Sequence, residues 1–547
     1  MNNNKIYGKF SLKHICKGGL LLILGLTSCQ DEMINDHVGD SLSLENEKFG
    51  STIVLGKKLN NPYSLKNMQA AYDSLNTESG SVLKSGNQLQ PTHYYVRFLP
   101  KDSVDFNLLE RDSLDLFCYP LDYEIEQWGD FYHDPSVPND QMTWQYTKVP
   151  VDYKFPNVRY EILEECYIPE EEESQLKSSK LLNASRMEHL AYEISGNGSM
   201  LKNSELRSKA SPSGRFTVYN ELTGQYEGVS GVAVRMGKFV KWFHVYTDAN
   251  GYYSTNSTFR TDPHYWIYFH NKKDFKIGTF SGLADARLHA MGKHSNKGYS
   301  HAFDKGTDMW AHCVVNNAAY YMHSTFENYI PQKLSYWVID TKFSSTPMLD
   351  HGTAKNLENL AILASTLPST VPVSEVAALS PVATASTVAF SYIAPDIFIG
   401  RIGKDYGLLY SHVIHETFHT MHFKKVGTTY WNNYVKGIIL CRLKFGSDYI
   451  YGYNEKSTNY SGYIGVGETF ADAAEKYIFE KKFPTRSLNI TDKEWYKPET
   501  TWELFQNNII SQLDFLSCMD AKTTSLNALA KNLNHKNPII SLNLYVQ

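Results

Sequence analysis

SHVIHETFHTMHF (411–423) carries His415 and His419 four residues apart, with Glu416 directly after the first. On a helix, side chains at i and i+4 lie on one face, so two ring nitrogens can take two corners of a tetrahedral Zn²⁺ site. Glu416 follows about 100° further round, where a carboxylate can hold a metal-bound water and take its proton. Ile414, Phe418 and Met421 form a separate apolar stripe at i, i+4 and i+7, so the stretch reads as a helix with one packing face and one metal face. His412 and His422 fall within the same ~80° arc and read as core or supporting histidines rather than ligands.

Two histidines do not close such a site, and a third ligand is needed. Metzincins place Gly three and His six residues after the second histidine, where this chain has His422 and Lys425. Downstream, GVGETFADAAEKY (465–477) sets Glu468 one helical turn before Asp472, with Phe470, Ala474, Tyr477 and Ile478 on the opposite side. This H-E-x-x-H followed by E-x-x-x-D resembles the gluzincin (thermolysin-like) zinc metallopeptidases. The resemblance implies that His415, His419 and Glu468 hold Zn²⁺, that Glu416 is the general base, and that Asp472 accepts the free ring N–H of a liganding histidine. It covers these two helices only. Glu475 lies on the same face as Glu468 and is a rival ligand, and 49 residues separate His419 from Glu468, so an insertion folds between the helices. Its first part, TTYWNNYVKGIIL (428–440), reads as a helix packing through Trp431, Tyr434, Ile438 and Ile439. Its second, DYIYGYNEKSTNYSGYIG (448–465), reads as a wall or lid of the cleft.

Residues 1–28 read as a targeting segment: Lys5, Lys9, Lys13 and Lys17 precede a short apolar run that ends at Leu26-Thr27-Ser28-Cys29. The run is too short to span a bilayer. Leu-Thr-Ser-Cys resembles a bacterial lipobox, which implies a lipidated Cys29 and an outer-membrane anchor, with Asp31 and Glu32 resembling a surface-export signal. Without the leader the formal charge moves from −5 to −9, unlike a nucleic-acid binder. Cys118, Cys166, Cys313, Cys441 and Cys518 are odd in number and widely spaced, with no zinc knuckle among them.

The expected organisation is multidomain: β-rich N-terminal modules, then a mainly α, zincin-like α+β domain. Residues 29–90, rich in Asn, Ser, Asp and Lys, read as a tether. Strand-like runs place a small β-rich or α+β module at 91–168, and the charged PEEEESQLKSSK opens a linker at 169–210 that has room for a short helix in 181–210. Residues 211–299 alternate apolar and polar positions between turn signals, the pattern of an antiparallel sandwich. Val232 to Val234 with Thr247 to Tyr253 resemble the carboxypeptidase-regulatory (transthyretin-like) module, with Asn250-Gly251 expected to form a type I′ turn. From 300 to 547 the helical period dominates. It includes a helix at 309–329, strands at 334–340 and 396–400, a helix at 357–367 and a loop at 367–390. The 396–400 strand stands where a gluzincin's substrate-binding edge strand would. The expectation is a lipid-anchored zinc metallopeptidase acting on extracellular proteins or glycoproteins. The alternative is a catalytically weak lipoprotein of zincin shape that binds host glycoprotein or polysaccharide.

Overall fold

The computed structural model describes residues 52–78, 88–169, 178–201, 210–279, 288–339, 346–347, 396–437 and 460–540, apart from isolated positions inside them. The leader with Cys29, the expected 357–367 helix, the 367–390 loop and residues 438–459 of the insertion lie outside these.

The front of the chain is more ordered than a tether. Strand β1 (Val54–Lys58) is followed by α1 (Leu65–Glu78), β2 (His93–Leu99), α2 (Ser103–Arg111) and β3 (Tyr123–Gln127). Then come β4 (Gln145–Pro150), β5 (Arg159–Cys166) and α3 (Ser178–Ile194). β2 is the centre of an antiparallel β4–β2–β5 sheet, and β1 pairs with β3. Two expectations are corrected here. Residues 52–78, assigned to the tether, bury Ile53, Tyr63, Met68 and Ala71. Residues 178–194, in the linker where only a short helix within 181–210 is expected, form a 17-residue helix whose Met187 and Ala191 pack on Met68 and Ala71. The cause is the same in both: Met68, Ala71, Tyr72 and Leu75 on α1, and Met187, Leu190, Ala191 and Ile194 on α3, are apolar at i, i+3, i+4, i+7 within polar sequence. Glu188 of α3 is buried as well, accepting from Tyr63 Oη at 2.5 Å and facing Lys241 Nζ at 3.0 Å.

Residues 213–303 fold as two facing sheets. β6 (Ser213–Asn220) is flanked by β7 (Gln225–Gly228), β10 (Tyr252–Ser254) and β14 (His301–Phe303). The second sheet holds β8 (Val232–Lys238), β9 (Lys241–Tyr246), β11 (His264–Asn271) and β13 (Leu288–Lys293). Phe216 and Val218 from one share a core with Val232, Val234, Met236, Tyr265 and Ile267 from the other. The turn at 248–252 is not type I′. Only Gly251 has positive φ (80°), while Asp248 Oδ1 accepts from the backbone N–H of Asn250 (2.8 Å) and Tyr252 (2.9 Å). The aspartate side chain closes the loop, so Asn250 need not be left-handed. Glycine is required at 251, where a Cβ would lie 2.1 Å from the Phe216 carbonyl oxygen.

The helical region grows out of this sandwich. β12 (Lys276–Gly278) turns back from β11, pairing antiparallel with its end, and pairs in parallel with β15 (Ser335–Ile339), which pairs in parallel with β17 (Ile397–Gly400). The short β16 (Thr346–Pro347) borders β17, giving the order β16–β17–β15–β12–β11–β8–β9 with β13 beside β11. The 396–400 strand is therefore covered on both sides and is not an edge. Helices α4 (Asp308–Thr325), α5 (Tyr406–Val426), α6 (Ser461–Lys482), α7 (Pro498–Gln506), α8 (Gln512–Ser517) and α9 (Leu526–Lys536) complete the region. α5 packs between α4 and α6, with Phe418 edge-on to Phe326 and Phe470 at 5.4 Å. α7 and α8 are separated by a turn in which Asn508 takes φ 54°. One continuous core runs from Phe216 to Ile540, so the expected boundary at 299/300 passes through a shared sheet and interior.

Candidate metal centre

The helix carrying the two histidines is held at both ends. Asp405 caps α5, its Oδ1 accepting from Leu408 N–H at 2.8 Å, and Gly427 with φ 79° ends it, donating to the Phe423 carbonyl. Its first turn is tied to the β6–β7 hairpin: Tyr406 N–H donates to Glu221 Oε1 (2.7 Å) and Tyr406 Oη to Glu227 Oε2 (3.0 Å). Ile414, Phe418 and Met421, the expected packing stripe, are buried.

The other face brings the expected ligands together. His415 Nε2 and His419 Nε2 are 3.0 Å apart, and Glu468 Oε2 lies 3.4 Å from the first and 3.5 Å from the second. The corners of that triangle are each about 1.9 Å from its centre, close to the ~2.0–2.2 Å of Zn–N and Zn–O bonds, so an ion fits at or just above its plane. The tautomer fits too. His415 Nδ1 faces Asp472 Oδ1 at 2.9 Å and Glu475 Oε2 at 3.0 Å, which places its proton on Nδ1 and leaves the Nε2 lone pair for a metal. Glu468 and Glu475 thus stand on opposite sides of the His415 ring: Glu468 beside both Nε2 atoms, Glu475 with Asp472 behind. His415, His419 and Glu468, or His415, Asp472 and Glu475, could each hold a metal ion.

The electrostatics favour a cation. Three carboxylates, Glu468, Asp472 and Glu475, crowd two buried imidazoles, and Glu416 is wholly buried on the same helix. Burial pushes the His415 imidazolium down, but Asp472, Glu468 and Glu475 outweigh it and hold the ring well above its ordinary value. For Glu468, burial raises the carboxyl, and the charges and hydrogen bonds of His419 and His415 reverse that and hold it far below the carboxylate range. Burial raises Glu475 and lowers His419. With no metal bound, protons balance the negative charge, and a divalent ion would displace them.

His412 Nδ1 lies 2.7 Å from Lys404 Nζ. His422 packs against Tyr430 and Trp431 and is pushed down to about 3 by burial and by His419. Neither joins the triangle. Residues 428–434 are helical, as expected, with Trp431 and Tyr434 buried. Beyond packing, Tyr434 Oη donates a hydrogen bond to Glu468 Oε1. Sequence reasoning missed that contact. The available signal was Gly467, a glycine inside a helix immediately before the expected ligand, which marks close approach by another group.

Comparison of the chain with known protein families, with characterised proteins and with solved structures finds no match.

Proposed function

We propose that the protein is a zinc-dependent metallopeptidase of the gluzincin type, carried on the outer membrane through a lipidated Cys29. The observation that carries this reading is the convergence of His415 Nε2, His419 Nε2 and Glu468 Oε2, with Glu416 following His415 in the sequence. His415, His419 and Glu468 hold the ion, and Asp472 fixes the His415 tautomer. When bound, zinc would lower the pKa of its water towards neutrality and polarise the scissile carbonyl. Glu416 takes the proton of the attacking water and delivers it to the leaving amine. The substrate class is extracellular protein or glycoprotein.

Metal analysis of purified wild type, His415→Ala and Glu468→Ala tests the site: full zinc retention in both variants refutes it. Glu416→Gln is expected to keep zinc and lose peptide turnover, read by mass-spectrometric cleavage mapping on a peptide library and on mucin-type glycoproteins. Cys29→Ala is expected to release the protein from the membrane fraction.

One observation favours a second reading, in which the metal braces a binding protein. His415, Glu416 and His419 are all 0 % exposed, whereas a catalytic metal keeps one position open. Zinc binding with no cleavage by the wild type would decide for it.

A further inference from the structure

The carboxylate of Glu468 is asymmetric in its surroundings. Oε2 faces His415 Nε2 and His419 Nε2, while Oε1 accepts the hydroxyl proton of Tyr434. Tyr434 comes from the 428–434 helix, outside both metal helices, and four features hold its ring in place. It is fully buried, it stacks on Trp431 at 4.4 Å and 18°, and it lies 5.7 Å from the His419 ring. Its ring also passes close to Gly467, where a Cβ would sit 2.7 Å from Tyr434 Cε2 and 3.3 Å from Cδ2. A glycine in mid-helix is less favourable than alanine, so its place at the residue before a metal-facing glutamate calls for a reason. The room it makes for the Tyr434 ring supplies one.

We propose that Tyr434 is a positioning residue that restricts Glu468 to a single metal-facing oxygen, and so sets the coordination number of the ion held by His415, His419 and Glu468. The inference rests on the metal reading above and adds a determinant to it. A carboxylate with both oxygens available can bind an ion through both, filling the position that a water needs. An oxygen that already accepts a strong, buried O–H bond has less electron density to give, and the hydrogen bond holds its plane turned away. The consequence is a three-ligand site with the fourth position left for water.

The test uses the full chain as wild type, Tyr434→Phe and Gly467→Ala. The phenylalanine keeps the ring and its stacking on Trp431 and removes only the donor. The alanine keeps the donor and displaces the ring. Each protein is stripped of metal and titrated with Zn²⁺ against a chromophoric chelator, then loaded with Co²⁺ for its visible absorption spectrum. Both variants are expected to bind zinc about 10- to 100-fold more weakly, the range found when a partner of a metal ligand is removed. Both should also show weaker Co²⁺ visible bands than wild type, the mark of a higher coordination number. Wild-type zinc affinity and an unchanged Co²⁺ spectrum in Tyr434→Phe would overturn the inference while leaving the metal site standing. Failure of the wild type to bind either ion would overturn the metal reading, and this inference with it.

Discussion

Lys241→Met strikes one of the contacts that join the front of the chain to the sandwich. The side chains of Lys241 and Glu188 are each 2 % exposed, with Nζ 3.0 Å from Oε1, and Tyr63 donates to the same oxygen. Removing one partner of a buried pair costs about 3–5 kcal/mol, because the remaining charge is stranded without water. Here Arg260, 4 % exposed with Nε 3.8 Å from Glu188 Oε2, stays behind and offsets part of the loss. The expected cost is about 2–4 kcal/mol. α3 carries Glu188, so local opening of that helix should report it: amide exchange in peptides from 178–194 speeds up about 30- to 1,000-fold, measured by mass spectrometry at pH 7. Glu188→Gln in the Lys241→Met background should cost less than in the wild type, giving a coupling of more than about 1 kcal/mol in the double-mutant cycle. Exchange in α3 unchanged by Lys241→Met, or additive single effects, would refute the argument.

Gly251→Ala forces φ 80° on a residue with a Cβ and drives that Cβ against the Phe216 carbonyl oxygen. A loss of at least about 2 kcal/mol is expected in urea denaturation. His323 is buried against Phe275 and pairs its Nε2 with Tyr336 Oη at 3.2 Å; burial, then Lys273, lower its pKa from 6.5 to about 4. The folded state therefore favours the neutral ring, so its contribution is complete above pH 6.5 and is lost as pH falls towards 4. About 2 kcal/mol should disappear between pH 7 and pH 5, and His323→Gln should remove that part of the acid sensitivity in thermal melts. Zinc at about 1,000 times its Kd is expected to add about 4 kcal/mol to wild-type stability, a gain reversed by chelation and absent in His415→Ala.

The parts of the site legible in sequence were those governed by one helix at a time. His415 and His419 share a face by spacing alone, and so do Glu468 and Asp472. That the two faces meet on opposite sides of the His415 ring follows from how α5 and α6 pack, and spacing left Glu468 and Glu475 undecided. Tyr434 reaches Glu468 across 34 positions of chain, a contact no local period encodes. Composition misled in the front segment, where four apolar positions on each of α1 and α3 were diluted by polar neighbours. The loop at 248–252 shows the reverse case: Asn250-Gly251 suggested one turn type, and the carboxylate two residues earlier imposed another.

The ties from Tyr406 to Glu221 and Glu227 have a practical meaning for anyone dividing this chain. The helix that carries both histidines starts on a hairpin some 180 residues earlier, and β15 and β17 extend a sheet begun by β8 and β11. A fragment cut at residue 300 would keep every expected ligand and lose the surface on which their helix is aligned. It would also uncover the apolar side of α4 and the border of β12's neighbour, both prone to self-association. Loss of metal binding in such a fragment would measure the missing scaffold. In the intact chain, changes in the β6–β7 hairpin far from any ligand should move metal affinity, because the first turn of the histidine helix inherits its orientation from there.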